Sequence, residues 1–107
     1  MKTLWTAIIL LVCSIQTAAA DSVEEIWKTK CQGCHGGDGR AKTKVGQKEK
    51  IPDMTSPKWQ ARHSDAAIKK TIQDGSDDNP KMKPFRKKLS EPEIDSLVSH
   101  IRGFKAQ

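Results

Sequence analysis

Apolar residues recur at helical intervals in three stretches of this chain, and no stretch alternates as a half-buried strand does. The first follows Ser22, where Val23, Ile26 and Trp27 share a face and the Lys30 stem can cover apolar surface. Ser22 with Glu25 three residues on predicts a capping box, and the helix runs straight into Cys31. The second is short, Asp65 to Asp74, capped by Ser64, striped by Ile68 and Ile72, and stopped by Gly75. The third starts from a Ser90–Glu93 capping box and carries Ile94, Leu97, Val98, Ile101 and Phe104. Residues 36–64 read as mostly irregular, with glycines at 36, 37, 39 and 46 and prolines at 52 and 57. Residues 76–89 form a polar loop stiffened by Pro80 and Pro84. The pattern therefore predicts an all-α domain with a long unladdered stretch, which is uncommon unless something other than backbone pairing organises it.

The N-terminus has a different texture. Lys2 precedes an almost wholly apolar run from Leu4 to Ile15, and Ala18-Ala19-Ala20 offers a small-residue cleavage site. This predicts a secretory signal over residues 1–20, cleaved before Asp21, and one domain over residues 21–107. The run is shorter than the roughly 20 residues of a bilayer span, so a retained membrane helix is the weaker alternative. Cys13 is discarded with the signal on this reading, because Val12 before it is too large for a lipoprotein site.

Export with two remaining cysteines, Cys31 and Cys34, would ordinarily suggest a disulfide, but a bridge across so short a loop adds little stability. The stretch Cys31-Gln32-Gly33-Cys34-His35 offers a better account, since C-x-x-C-H is the attachment signature of a c-type haem. Two thiols three positions apart can add to the two vinyl groups of one porphyrin, and the adjacent imidazole then ligates its iron. A bulky apolar macrocycle would also supply core that so small a domain lacks. Two rival readings use the same letters: a redox dithiol, which calls for an α/β setting, and a structural zinc site, which needs four ligands.

An iron held by one imidazole takes a sixth ligand if it is to carry electrons without binding small molecules. Met82, in the proline-stiffened loop and far enough along the chain to reach the opposite haem face, leads the candidates. Met54, His63 and His100 are the others, and an open sixth position is the remaining possibility.

Several segments, in order, resemble class I cytochrome c of the small bacterial, monohaem type over essentially all of residues 21–107. Trp27 is similar to the aromatic of that family's first helix, and Cys34-His35-Gly36-Gly37-Asp38-Gly39 is a common continuation of its haem motif. Ile51-Pro52-Asp53-Met54 resembles the segment whose proline carbonyl receives the proximal histidine proton. The stretch from Pro57 to Arg62, followed by Ser64-Asp65, resembles the approach to the middle helix, and Met82-Lys83-Pro84-Phe85 the methionine-ligand loop. Leu97 to Arg102 is similar to the final helix, with His100 where an aromatic usually packs on the first helix.

The resemblance implies about three main helices wrapped around one covalently attached haem c. Cys31 and Cys34 would hold it, with His35 and Met82 as axial ligands, Met54 against the porphyrin, and Trp59 as a core aromatic or propionate donor. It implies a periplasmic one-electron carrier rather than an enzyme; a subunit of a larger oxidoreductase, or a haem sensor or peroxidase with a labile methionine, is the alternative.

Charge bears on partners. Lys and Arg number 19 against 13 Asp and Glu, a formal net charge of +6. Export argues against nucleic acid, so the excess reads as a solvated lysine-rich surface or as steering toward an acidic redox protein. Lys81, Lys83, Arg86, Lys87 and Lys88 surround Met82 in sequence and are the candidates for that docking face, on a chain expected to be monomeric.

Overall fold

The structure is a computed structural model that describes residues 22–104 together with Ile9 and Leu11. The expected signal over 1–20, with Cys13 and its cleavage site, otherwise lies outside the described residues. Among the described residues the regular structure is helical, with no strand, and no helix is long and apolar enough to cross a membrane.

The chain opens with one continuous helical run built from α1 (Val23–Ile26), a π-helical turn over Trp27–Cys31, and α2 (Gln32–His35). Ser22 Oγ accepts from Glu25 N at its start, which is one half of the expected box. The π turn was not legible in the apolar spacing. Thr29 donates its hydroxyl to the Glu25 carbonyl at 2.9 Å, and this back-bonding occupies an acceptor of the ordinary ladder where the turn loosens.

Residues 36–64 are less irregular than predicted, because two short helices interrupt them: α3 (Lys44–Lys48) and α4 (Pro57–Arg62). Thr43 caps the first through Gly46 N, and Ser56 caps the second with Pro57 in its first turn. Both are ordinary start signals that the scattered glycines and prolines obscured. The last two helices match the pattern. α5 (Asp65–Asp74) is capped by Ser64 and ended by Gly75, and α6 (Glu91–Arg102) begins in a complete Ser90–Glu93 capping box. Phe104 lies beyond the end of α6 rather than within it.

α6 packs against both α1 and α5. Ile26 and Trp27 from the first run, Ile68 and Ile72 from α5, and Ile94, Leu97, Val98 and Ile101 from α6 form one core, joined by Met54 and Leu89 from the connections. Each large side chain fully withdrawn from water contributes roughly 1.5–3 kcal/mol, so the three predicted helices carry most of the hydrophobic stabilisation. The connections spend their residues elsewhere, on holding backbone in place around the cysteine motif.

Candidate functional site

Cys31 and Cys34 are unpaired, half-buried thiols on successive turns of the first run. Burial pushes the Cys31 thiol up to about 11, against a smaller opposing effect from Lys30. A redox dithiol needs the opposite, a depressed thiol pKa, and the setting is all-helical rather than α/β; the dithiol reading therefore fails on two counts. Among the described residues no three His, Cys, Asp or Glu side chains gather as a metal-holding group, which leaves the zinc reading without its ligand set.

The backbone around the motif is held with unusual closeness. Trp27 turns its indole inward and donates Nε1–H to the Gly36 carbonyl at 3.0 Å, so a buried side chain caps the end of α2. Ala41 N donates to the His35 carbonyl at 2.8 Å, and Thr43 Oγ1 donates to the Cys34 carbonyl at 2.8 Å. Gly46 completes this clamp by close approach: a Cβ there would lie 2.2 Å from the Ala41 carbonyl oxygen and 2.8 Å from that of Cys34. The sequence marks Trp27 as the aromatic of the first helix and gives no sign of what Thr43 and Gly46 do. A threonine three residues before a glycine is a weak cap signal, and nothing local says which carbonyl it will reach.

His35 is half-buried beside Trp27, ring centroids 5.9 Å apart, and burial lowers its pKa so that the imidazole is held neutral. Its Nδ1 is buried without a hydrogen-bond partner. The expected bond from Nδ1 to a carbonyl near Pro52 is therefore not made; Pro52 is exposed and lines an open cleft of about 480 Å³ with Trp59, Arg62 and His63. A neutral imidazole next to two free thiols is the donor set that a covalently held haem takes. These residues fit the group.

Met82 approaches the same core from the far end of the sequence. Cys31, Trp59, Met82 and Phe85 are partly buried and all pack against the cluster that contains Met54. The loop carrying Met82 is stitched to α5, where Phe85 N donates to the Ile72 carbonyl at 2.9 Å and Arg86 N to that of Gln73 at 3.1 Å. Ser76 N donates to the Met82 carbonyl at 3.2 Å, and Gly75, with φ of +83°, lets that carbonyl lie within 2.8 Å of where a Cβ would stand. Gly75 is thus more than a helix stop. It brings the loop against the end of α5.

The other candidate ligands have different surroundings. Met54 is 5% exposed within the core, its N–H donating to the Gly39 carbonyl at 3.0 Å. His63 stacks on Trp59 with centroids 4.5 Å apart, so Trp59 is a core-edge aromatic with a ring partner. His100 packs in a three-ring group with Trp27 and Phe104, each pair of centroids 5.1 Å apart, where its ring fills an aromatic's place against the first run. Gln60 and Arg102 tie these elements together, a role that nothing local in the sequence signals. Gln60 Nε2 donates to the carbonyls of Met54 and Ile101, at 2.7 and 3.0 Å, while Arg102 donates to Gln60 and to Asp65.

The basic surface is smaller than its sequence suggests. Lys81 is paired with Glu49, and Arg86 with Asp74 at 2.7 Å. Lys83, Lys87 and Lys88 are exposed and make no ion pair among the described residues.

Known proteins bear on the same site. Residues 18–101 match the family model described as cytochrome c oxidase, cbb3-type, subunit III. The solved KustC0563 c-type cytochrome is similar at 33% identity and a TM-score of 0.71, over 79% of this chain and 99% of that one. A tyrosine-to-phenylalanine mutant of Kustc0563 is similar at 34% identity and a TM-score of 0.68, over 78% and 98%. No curated protein matches the sequence. With C-x-x-C-H at the end of its first helical run and a matching helical fold, the chain belongs to the cytochrome c family, as a class I monohaem cytochrome c.

Proposed function

We propose that this protein is a periplasmic one-electron carrier in which Cys31 and Cys34 hold one haem c as thioethers and His35 and Met82 are its axial ligands. The observation that carries the reading is that Cys31 and Met82, far apart in sequence, both pack against one apolar cluster, which includes Trp27 beside the His35 ring. When bound, the haem iron supplies a centre that alternates between ferrous and ferric states. The residues of the chain do the rest. His35 presents an uncharged ring because burial disfavours its protonation. Met82 offers a thioether sulfur, which favours the reduced ion over the oxidised one. Met54, Trp59 and Phe85 line the surroundings with apolar surface, which excludes water and disfavours the more highly charged state. With two protein ligands in place no position is left for a substrate, which supports a carrier rather than an enzyme.

Partner docking rests on the exposed Lys83, Lys87 and Lys88 beside Met82, a surface suited to steering an acidic redox protein. A transfer rate with such a partner that did not fall as salt was raised would remove this part of the reading.

The ligand assignment is tested on protein made with a cytochrome maturation system. A pyridine haemochrome spectrum establishes thioether-bound haem, and the far-red sulfur-to-iron band should appear in the wild type and vanish in Met82→Ala. A band that survives the substitution, or is missing at the outset, refutes Met82. The matching family description supports a second reading, that the domain serves as the haem subunit of a larger oxidoreductase. Purification from native membranes under mild detergent separates the two, since a subunit stays with its complex and a free carrier does not.

A further inference from the structure

The Met82 loop is attached to two different elements, and only one attachment is made through backbone. Its α5 side is stitched by the Phe85 and Arg86 amides. Its tip, residues 79–82, is tied to the end of α3 by a single carboxylate. Glu49, the residue that ends α3, accepts from Asn79 Nδ2 at 3.4 Å through one oxygen and from Lys81 Nζ through the other. Met82 N in turn donates to the Asn79 carbonyl at 3.0 Å. Glu49 is thus two contacts from the proposed ligand.

The other end of α3 is fixed on the cysteine motif, through the bond from Thr43 to the Cys34 carbonyl and the close approach of Gly46 to the same oxygen. One short helix therefore spans the site. Its N-terminal cap grips the segment of the attachment motif, and its C-terminal cap grips the tip of the loop that carries Met82. The Glu49 side chain is 19% exposed and that of Lys81 60%, so the contact with Asn79 is partly shielded from water while the ion pair is open to it on the lysine side. Both of its neighbours hold the carboxyl below the ordinary range, Lys81 most strongly.

We infer that Glu49 is a positioning residue for the sixth ligand: a strap from α3 that keeps the tip of the Met82 loop closed and so resists replacement of Met82 by outside ligands. This rests on the assignment of Met82 proposed above. Glu49, Asn79 and Lys81, the three residues of the strap, are not among those that form the core. Its loss should therefore change ligand exchange more than global stability.

The test is the affinity of the ferric holoprotein for imidazole, read by loss of the far-red sulfur-to-iron band, alongside the denaturant midpoint. Glu49→Ala should bind imidazole about three- to tenfold more tightly than wild type, as expected for loss of a surface ion pair together with a part-buried hydrogen bond. Lys81→Ala should show the same direction, and the double variant should bind no more tightly than Glu49→Ala, because both changes remove one strap. Lys69→Ala is the control, since it breaks pairs of 2.9 and 2.8 Å to Glu91 and Asp95 that link α5 to α6. Unchanged imidazole affinity in Glu49→Ala overturns the inference, and so does an equal gain in Lys69→Ala, which would mean general loosening. Failure of the Met82 assignment shows separately, as a far-red band missing from the wild type.

Discussion

The two segments that carry the proposed haem ligands are restrained in opposite ways. Around Cys31–His35 the restraints are buried or part-buried and aimed at backbone: an indole on the Gly36 carbonyl, a hydroxyl on that of Cys34, and a glycine too close to both Cys34 and Ala41 to admit a side chain. The loop of Met82 has backbone bonds to the end of α5 and packs Met82 and Phe85 on the core, but its ties to α3 are side-chain contacts of Glu49, and its ion pairs lie at or near the surface. Buried hydrogen bonds and close packing are worth far more than exposed pairs, so the attachment side is rigid and the Met82 side adjustable. The attachment side is where covalent bonds to a cofactor would be made once. The Met82 side is where a dissociable bond would have to persist.

The sharpest way to break this contrast is Gly46→Ala. Its Cβ has no room beside two backbone carbonyls, and a loss of about 3 kcal/mol with poor haem incorporation is expected by denaturation and absorbance. A mild effect would mean that α3 can shift and that the attachment side is not rigid. Gly75→Ala comes next, near 2 kcal/mol, because its φ of +83° and ψ of 174° lie in a region nearly reserved for glycine. Because Gly75 abuts the Met82 carbonyl, the far-red band of the holoprotein should weaken in this variant well before it unfolds in denaturant.

Trp27→Phe keeps an aromatic in the three-ring group but leaves the buried Gly36 carbonyl without its donor, an expected cost of about 1.5 kcal/mol in a urea titration. Arg86→Ala removes an exposed pair to Asp74 and should cost no more than about 0.5 kcal/mol, diminishing further in high salt. If Arg86→Ala cost more than Trp27→Phe, the ranking of the two sides would be reversed.

The smallest effect is a pH dependence. The Thr55 hydroxyl and amide donate to Asp53 at 2.6 and 2.8 Å and hold its carboxyl below the ordinary value. A carboxylate with a lowered folded pKa adds stability above its unfolded pKa and loses it as pH falls through the folded one. The gap between wild type and Asp53→Asn should therefore be present at neutral pH and close on acidification, as followed by denaturant midpoints across pH.

Helix positions were legible where capping and apolar period agreed. Ser64 with Ile68 and Ile72, and Ser90–Glu93 with Ile94 to Ile101, are visible in sequence because each signal is local and repeated. α3 and α4 were hidden because a five- or six-residue helix has too few turns to show a period, and their caps stood among other small polar residues. The π turn and the partner of His35 Nδ1 share one difficulty. Each depends on where a particular carbonyl ends up, and carbonyls leave no trace in side-chain pattern.

The docking face shows the same limit. Five basic residues around Met82 look equivalent in sequence, yet two are engaged by Glu49 and Asp74, which lie on other elements.

By itself the sequence determined the helical class, the three core stripes and the chemical letters of the site, because capping, periodicity and C-x-x-C-H are short-range facts. Only the tertiary structure decided which carbonyl Trp27 and Thr43 satisfy, why residue 46 has to be glycine, and which carboxylate spans from α3 to the loop of Met82. Those are contacts between residues distant along the chain. Their geometry exists only after the helices have packed.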